Sequence, residues 1–198
     1  MKKVVLAILL CTISLFANES FSYLMGMRNN RYLFAGVEFA SRFGLAVENS
    51  VFTQGVEKQY VRVAPFYCWN LGEELVGSYA LYAGMRYDGA YYDVGARMDV
   101  LWRYSRYLQT GGTFMPFYDS SLKGLVGYRA YVQSFLLKEI GVFAGVKNLP
   151  DFRNVEDRFV GGLVFESGNI GVRPEFSVPV SWATHLTRVS VFFVYKSP

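Results

Sequence analysis

The sequence predicts an all-β fold: a transmembrane, up-and-down antiparallel β-barrel of about 12 strands, apolar towards lipid and polar towards its own interior. Three observations predict it. Runs of period-two alternation are long, aromatic residues gather where those runs end, and the face opposite the apolar one combines glycine with Arg, Asp and Glu. Composition agrees, because aromatics reach 18% of the 198 residues while charged residues stop at 18%, an unusual balance for a surface that meets only water.

Residues 1–17 are read as a secretory signal peptide and residues 18–198 as the barrel domain. Lys2 and Lys3 form the basic start, Val4 to Phe16 the apolar run, and Leu15-Phe16-Ala17 a cleavage-compatible end. The run falls short of the ~20 apolar residues of a spanning helix, and Leu10 before Cys11 is too bulky for a lipoprotein signal. Removing the segment takes away Lys2 and Lys3, which leaves 18 basic against 16 acidic residues, so the formal charge falls from +4 to +2. That balance gives no electrostatic footprint for nucleic acid. Only Cys68 remains after processing, so an intramolecular disulfide has no second partner.

The alternation is explicit in the chain. In 42–52, Phe43, Leu45, Val47 and Val51 oppose Arg42, Gly44, Ala46, Glu48 and Ser50. In 74–87, Leu75, Tyr79, Leu81, Ala83 and Met85 oppose Glu74, Val76, Ser78, Ala80, Tyr82, Gly84 and Arg86. In 91–103, Tyr92, Val94, Ala96, Met98, Val100 and Trp102 oppose Asp93, Gly95, Arg97, Asp99 and Arg103. Residues 139–147 and 169–176 repeat the rule, with Glu139, Gly141, Phe143, Gly145 and Lys147 on one polar face and Gly171, Arg173 and Glu175 on the other.

Alternation alone fits a soluble β-sandwich equally well. Strand length favours the barrel, since ~13 alternating residues exceed the usual ~5–6 and reach the ~9–11 of a tilted membrane strand. Phe39, Phe43, Tyr67, Trp69, Trp102, Phe165, Phe193 and Tyr195 stand near turns, as two interfacial girdles require. The polar face is small and charged at once, which suits a narrow lumen better than a solvated exterior.

Turns near Ser41, Leu71, Ser105, Leu137 and Gly168 recur about every 31 residues, the length of one hairpin of long strands. The predicted strands are 20–28, 31–40, 43–52, 58–69, 74–87, 91–103, 107–117, 122–134, 138–147, 158–166, 169–178 and 186–195. Gly111, Gly112 and Pro116 make 107–117 the weakest, and losing strands there or at the N-terminus gives ten or eight. With both chain ends on the periplasmic side, only Asn148 to Asp157 and Pro179 to His185 are long enough to build an outer surface.

The whole chain resembles small bacterial outer-membrane β-barrel proteins, and its last strand carries part of the likeness. Arg188, Ser190, Phe193 and Tyr195 occupy the polar, small and two aromatic places of what resembles the assembly signal of such proteins. Ser190 stands where glycine is usual, and Lys196-Ser197-Pro198 extend beyond it. The resemblance implies an outer-membrane location, contact with outer-membrane lipid and lipopolysaccharide, and a passage through the barrel-assembly machinery; it implies no cofactor and leaves oligomeric state open.

The candidate lumen set is Glu38, Glu48, Glu74, Asp93, Asp99, Glu139, Glu166 and Glu175 with Arg42, Arg62, Arg86, Arg97, Arg129, Arg158, Arg173 and Arg188. Two readings fit it: an internal ion-pair network in place of an apolar core, or a water-filled pore that filters small solutes by charge. A structural or passive-transport role follows from either. A third reading makes His185, the single histidine, the general base of a lipid-modifying hydrolase or acyltransferase. No catalytic motif accompanies it, and one His with one Cys is too few soft ligands for a metal site.

Overall fold

The computed structural model describes residues 21–28, 32–39, 42–50, 59–120, 123–148, 156–181 and 187–196, with side chains described from Arg42 onward except those of residues 50, 123 and 196. Twelve strands follow one another: β1 Phe21–Arg28, β2 Tyr32–Phe39, β3 Phe43–Ser50, β4 Tyr60–Leu71, β5 Leu75–Arg86, β6 Tyr92–Arg103, β7 Leu108–Asp119, β8 Lys123–Phe135, β9 Ile140–Asn148, β10 Arg158–Ser167, β11 Ile170–Pro179 and β12 Arg188–Lys196. Each pairs antiparallel with its sequence neighbours, and β1 closes the barrel against β12 in the register Ser22↔Lys196 to Arg28↔Ser190. Closure removes every free edge. The twelve-strand reading therefore holds. Residues 1–17, expected to be a signal peptide and holding Cys11, lie outside the described residues, as do Trp182 and His185.

The turns between β4 and β5, β6 and β7, β8 and β9, and β10 and β11 span two to four residues and share one end of the barrel, here the short-turn end. Gly168 takes φ 55° in the two-residue turn Gly168-Asn169, where a side chain would be strained. A strand of 12 residues, such as β5, spans roughly 30 Å at ~3.3 Å per residue and a tilt near 40°, the thickness of a bilayer core.

Outward positions carry the apolar face: Val63, Leu81, Val94, Phe114, Val132, Leu163, Phe176 and Val189 are exposed although apolar, as lipid contact demands. The aromatics named from sequence whose side chains are described gather in a single girdle rather than two, at the short-turn end. There Phe43 packs on Tyr67 at 5.0 Å, Trp69 stacks on Tyr79 at 5.8 Å, and Trp102 stacks on Tyr104 at 4.8 Å. The opposite girdle is made by aromatics outside that set, chiefly the Tyr92–Tyr118 pair at 6.3 Å.

The segment around Gly111, Gly112 and Pro116 forms an unbroken strand. Pro116 keeps its place opposite Val126 on β8, while its missing N–H falls on the β6 side, where the ladder skips from Gly95↔Phe117 to Met98↔Phe114 without losing register. Pro65 and Pro174 repeat the device, each keeping one neighbour, Leu45 or Val191, and interrupting the other ladder. In an antiparallel sheet a proline costs the bonds on one side only, and a closed barrel holds the register by all its other pairs.

Inward glycines have a separate use. A Cβ on Gly44 would meet Phe66 at 2.1 Å, on Gly84 the Tyr60 hydroxyl at 1.9 Å, on Gly95 the Tyr82 hydroxyl at 2.6 Å, on Gly111 Tyr131 at 2.2 Å, and on Gly162 the Phe143 ring at 2.8 Å. Each ring lies against the wall over a glycine of an adjoining strand, which keeps bulky side chains out of the bore.

Candidate functional site: the charged lumen

Alternation turns the charged residues inward, and the barrel sorts them into two regions. The first lies towards the far end, on β3 to β7. The Arg62 guanidinium donates to Glu48 Oε2 at 3.1 Å and to Asp93 Oδ2 at 2.5 Å, and the Tyr60 hydroxyl donates to Asp93 Oδ1 at 2.5 Å. Arg62 also lies 4.6 Å from the Tyr82 ring centre and 5.3 Å from that of Tyr60. Asp93 is 0% exposed and its cross-strand partner Asp119 is 1% exposed, with the Tyr91 hydroxyl hydrogen-bonded to Asp119. Below them Tyr82, Met115 and Phe117 form an apolar cluster with Ala64 and Leu125. This wall is packed like a protein interior.

The second region lies mid-barrel and towards the short-turn end, on β6 to β11. Arg97 pairs along its own strand with Asp99 at 2.7 Å, and Thr113 Oγ1 donates to Asp99 at 2.6 Å. Arg129 donates to Glu175 at 2.7 Å, and Lys147 pairs with the other oxygen of the same carboxylate. Arg173 has a different environment. Its guanidinium lies 3.8 Å from the Phe143 ring centre and 4.6 Å from that of Tyr131, and its buried Nε and Nη2 meet no hydrogen-bond acceptor among the described residues. Buried donors without acceptors cost about 1–3 kcal/mol.

Part of this region borders a cavity of about 590 Å³; among the described residues Arg42, Arg97, Arg129 and Arg173 line it with Asp99 as the one carboxylate, beside Cys68, Ser78, Asn70, Thr113 and Tyr131. Arg42 reaches it from the turn before β3, in a left-handed conformation (φ 77°) anchored where its carbonyl accepts the Cys68 N–H at 2.7 Å. An apolar cluster of Phe135, Phe143, Val160 and Val164 fills the wall beside the cavity. The lumen is thus part core and part cavity.

Of the candidate set, Glu48, Arg62 and Asp93 meet in the first region, and Arg97, Asp99, Arg129, Arg173 and Glu175 in the second. Arg158 is buried and held by the Ser177 hydroxyl at 3.2 Å, the Ser177 carbonyl at 3.0 Å and Glu156 at 2.6 Å. Arg86 pairs with Asp88 at the far rim, and Arg188 is half-buried near the far end of β12. Glu74 and Glu139 are not in the lumen: β5 starts at Leu75 and β9 at Ile140, so both acids fall in exposed turns where the alternation no longer holds. Glu166 is exposed at the short-turn rim. The side chain of Glu38 lies outside the described residues. In β12, Ser190 is buried inward while Phe193 and Tyr195 face outward. Tyr60, Tyr82, Asp119, Tyr131, Phe143 and Lys147 belong to the lumen and were missed as functional residues. Their parity placed several on the inner face, but a charge-only criterion discarded the aromatics.

No family model matches the chain, and no curated protein matches it. Among solved structures, the KdgM porin in complex with disordered oligogalacturonate is similar with a TM-score of 0.63 at 14% identity, over 90% of this chain and 99% of the porin. The NanC porin is similar with a TM-score of 0.54 at 10% identity, over 90% of this chain and 100% of NanC. At such identities the likeness shows the fold, which is that of small outer-membrane β-barrels.

Proposed function

We propose that the chain is a passive diffusion pore of a bacterial outer membrane whose lumen favours anionic solutes. The observation that carries this reading is Arg173, which has no ion-pair partner among the described residues and shares a cavity with Arg42, Arg97 and Arg129, where Asp99 is the one carboxylate among the described lining residues. Cations fixed in a narrow, weakly polarisable wall raise the local anion concentration and lower the barrier to anion entry. The porin likeness supports a conducting role, and the uronic acid oligomer bound to one neighbour is itself a polyanion. The ion-paired wall around Arg62 supplies rigidity, so the network and pore readings describe different parts of one lumen. In this reading the partners are outer-membrane lipid and lipopolysaccharide on the outer wall and the barrel-assembly machinery during insertion, with Phe193 and Tyr195 presented outward for recognition.

Purified protein in planar bilayers is expected to pass ions in discrete steps, and a polyanion such as polygalacturonate is expected to interrupt them. Silent bilayers with verified insertion would remove the pore. In cells, the membrane fraction is expected to contain a band whose gel mobility changes on boiling; a soluble protein without such a shift contradicts the membrane assignment.

A further inference from the structure

We infer that Gly111 sets the aperture of the lumen by giving the Tyr131 ring a seat in the wall, and that it thereby positions two of the cavity's arginines, Arg129 and Arg173. The inference rests on the pore reading and extends it to a residue with no charge. Tyr131 on β8 stands directly opposite Gly111 on β7 and Gly145 on β9. A Cβ on Gly111 would lie 2.2 Å from Tyr131 Cζ, 2.3 Å from its hydroxyl oxygen and 2.4 Å from Cε1, and its three nearest neighbours are all atoms of that one ring. No carbon atom fits at such distances, so the ring leaves its seat if the glycine gains a methyl group. The backbone confines the ring on its wall side, so the free direction is the cavity that Tyr131 already lines.

Movement of the ring carries charge with it. Arg129 lies 4.9 Å and Arg173 4.6 Å from the Tyr131 ring centre. Both guanidiniums use its face, and Arg173, whose Nε and Nη2 meet no acceptor among the described residues, rests on Tyr131 and Phe143. Gly111 therefore acts through Tyr131 as a positioning residue. Gly112 is the natural control: it is adjacent, its backbone borders the cavity, but its Cβ position alternates to the outer wall opposite the exposed Ala130 and would make an ordinary contact of 3.5 Å with the Arg129 carbonyl. Gly95, Gly145 and Gly162 are poorer probes, because a methyl group on each would also strike a backbone carbonyl.

The experiment compares the single-channel conductance of wild type, Gly111→Ala, Gly112→Ala and the double variant Gly111→Ala/Tyr131→Ala, each shown to be folded by its gel mobility before boiling. Gly111→Ala is expected to lower conductance roughly twofold or more, Gly112→Ala to leave it unchanged, and the double variant to restore at least the wild-type value. Unchanged conductance in Gly111→Ala, or a double variant that stays low or fails to fold, overturns the inference. Failure of Gly111→Ala to fold while the double variant folds and conducts supports it, because the conflict is then with the ring. A second readout does not require conduction. Cys68 lines the same cavity, so its labelling by a bulky thiol reagent is expected to slow in Gly111→Ala and recover in the double variant. Should wild-type protein prove silent in bilayers, the pore reading fails, while unchanged Cys68 labelling in Gly111→Ala separately overturns the seating of the ring.

Discussion

Arg62 and Arg173 are both inward guanidiniums resting on aromatic rings, yet one is neutralised and the other is not. Arg62 is clasped by Glu48 and Asp93 in a wall where Asp93 is wholly buried, whereas Arg173 has Phe143 and Tyr131 but no paired carboxylate among the described residues. The difference teaches that a charged residue in a barrel lumen is either structural or functional according to its partners. A neutralised guanidinium ties strands together, and an unneutralised one leaves a field for solutes.

Four substitutions break or sharpen that contrast. The largest effect is expected from Arg62→Ala, which strands Asp93 and Glu48 in a buried wall and costs about 3–5 kcal/mol; denaturant unfolding of detergent-folded barrel measures it, and a loss below about 1 kcal/mol would refute the structural role. Gly84→Ala drives a methyl group into the Tyr60 hydroxyl and Asp93 and should destabilise by about 1–3 kcal/mol in the same assay. Arg173→Gln should change stability by less than about 1 kcal/mol or even raise it, since a charge and several of its buried N–H donors without acceptors are removed. Its anion-to-cation permeability ratio should nonetheless fall severalfold, and a stability loss like that of Arg62→Ala would erase the distinction between the two regions. Arg97→Gln is expected to shift the ratio least, because Asp99 already offsets that charge; a shift larger than that of Arg173→Gln would place the dominant field elsewhere.

Much of this architecture was legible in the chain, for physical reasons. Period-two alternation survives into every strand because each has lipid on one side and lumen on the other, so 74–87 and 91–103 became β5 and β6 within a residue or two. The segment 107–117 looked weak because glycine and proline are read as local breakers, whereas closure lets Pro116 omit one ladder and Gly111 receive a ring from β8. Strand ends were less legible: Glu74 and Glu139 continue the parity of their strands but fall where the chain turns.

The candidate site was legible as a list and not as a map. Parity placed Arg97, Asp99, Arg173 and Glu175 inside, but no pattern states that Glu175 is shared by Arg129 and Lys147, 46 and 28 residues away in sequence. Nor does it state that Arg173 is left without a carboxylate partner among the described residues. Pairing across the lumen depends on shear and on which aromatics occupy the bore, and both emerge only when the sheet closes. The aromatic lining was overlooked because a search for charge ignores rings: alternation already set Tyr82 and Phe143 on the polar face, yet neither was counted as functional.

The reversal potential of wild-type protein across a bilayer with unequal KCl concentrations tests the central claim most directly. The excess of arginines over carboxylates among the described residues that line the cavity predicts a sign set by chloride, moving towards zero in Arg173→Gln. A sign set by potassium, or a chloride-dominated potential indifferent to Arg173, would contradict it.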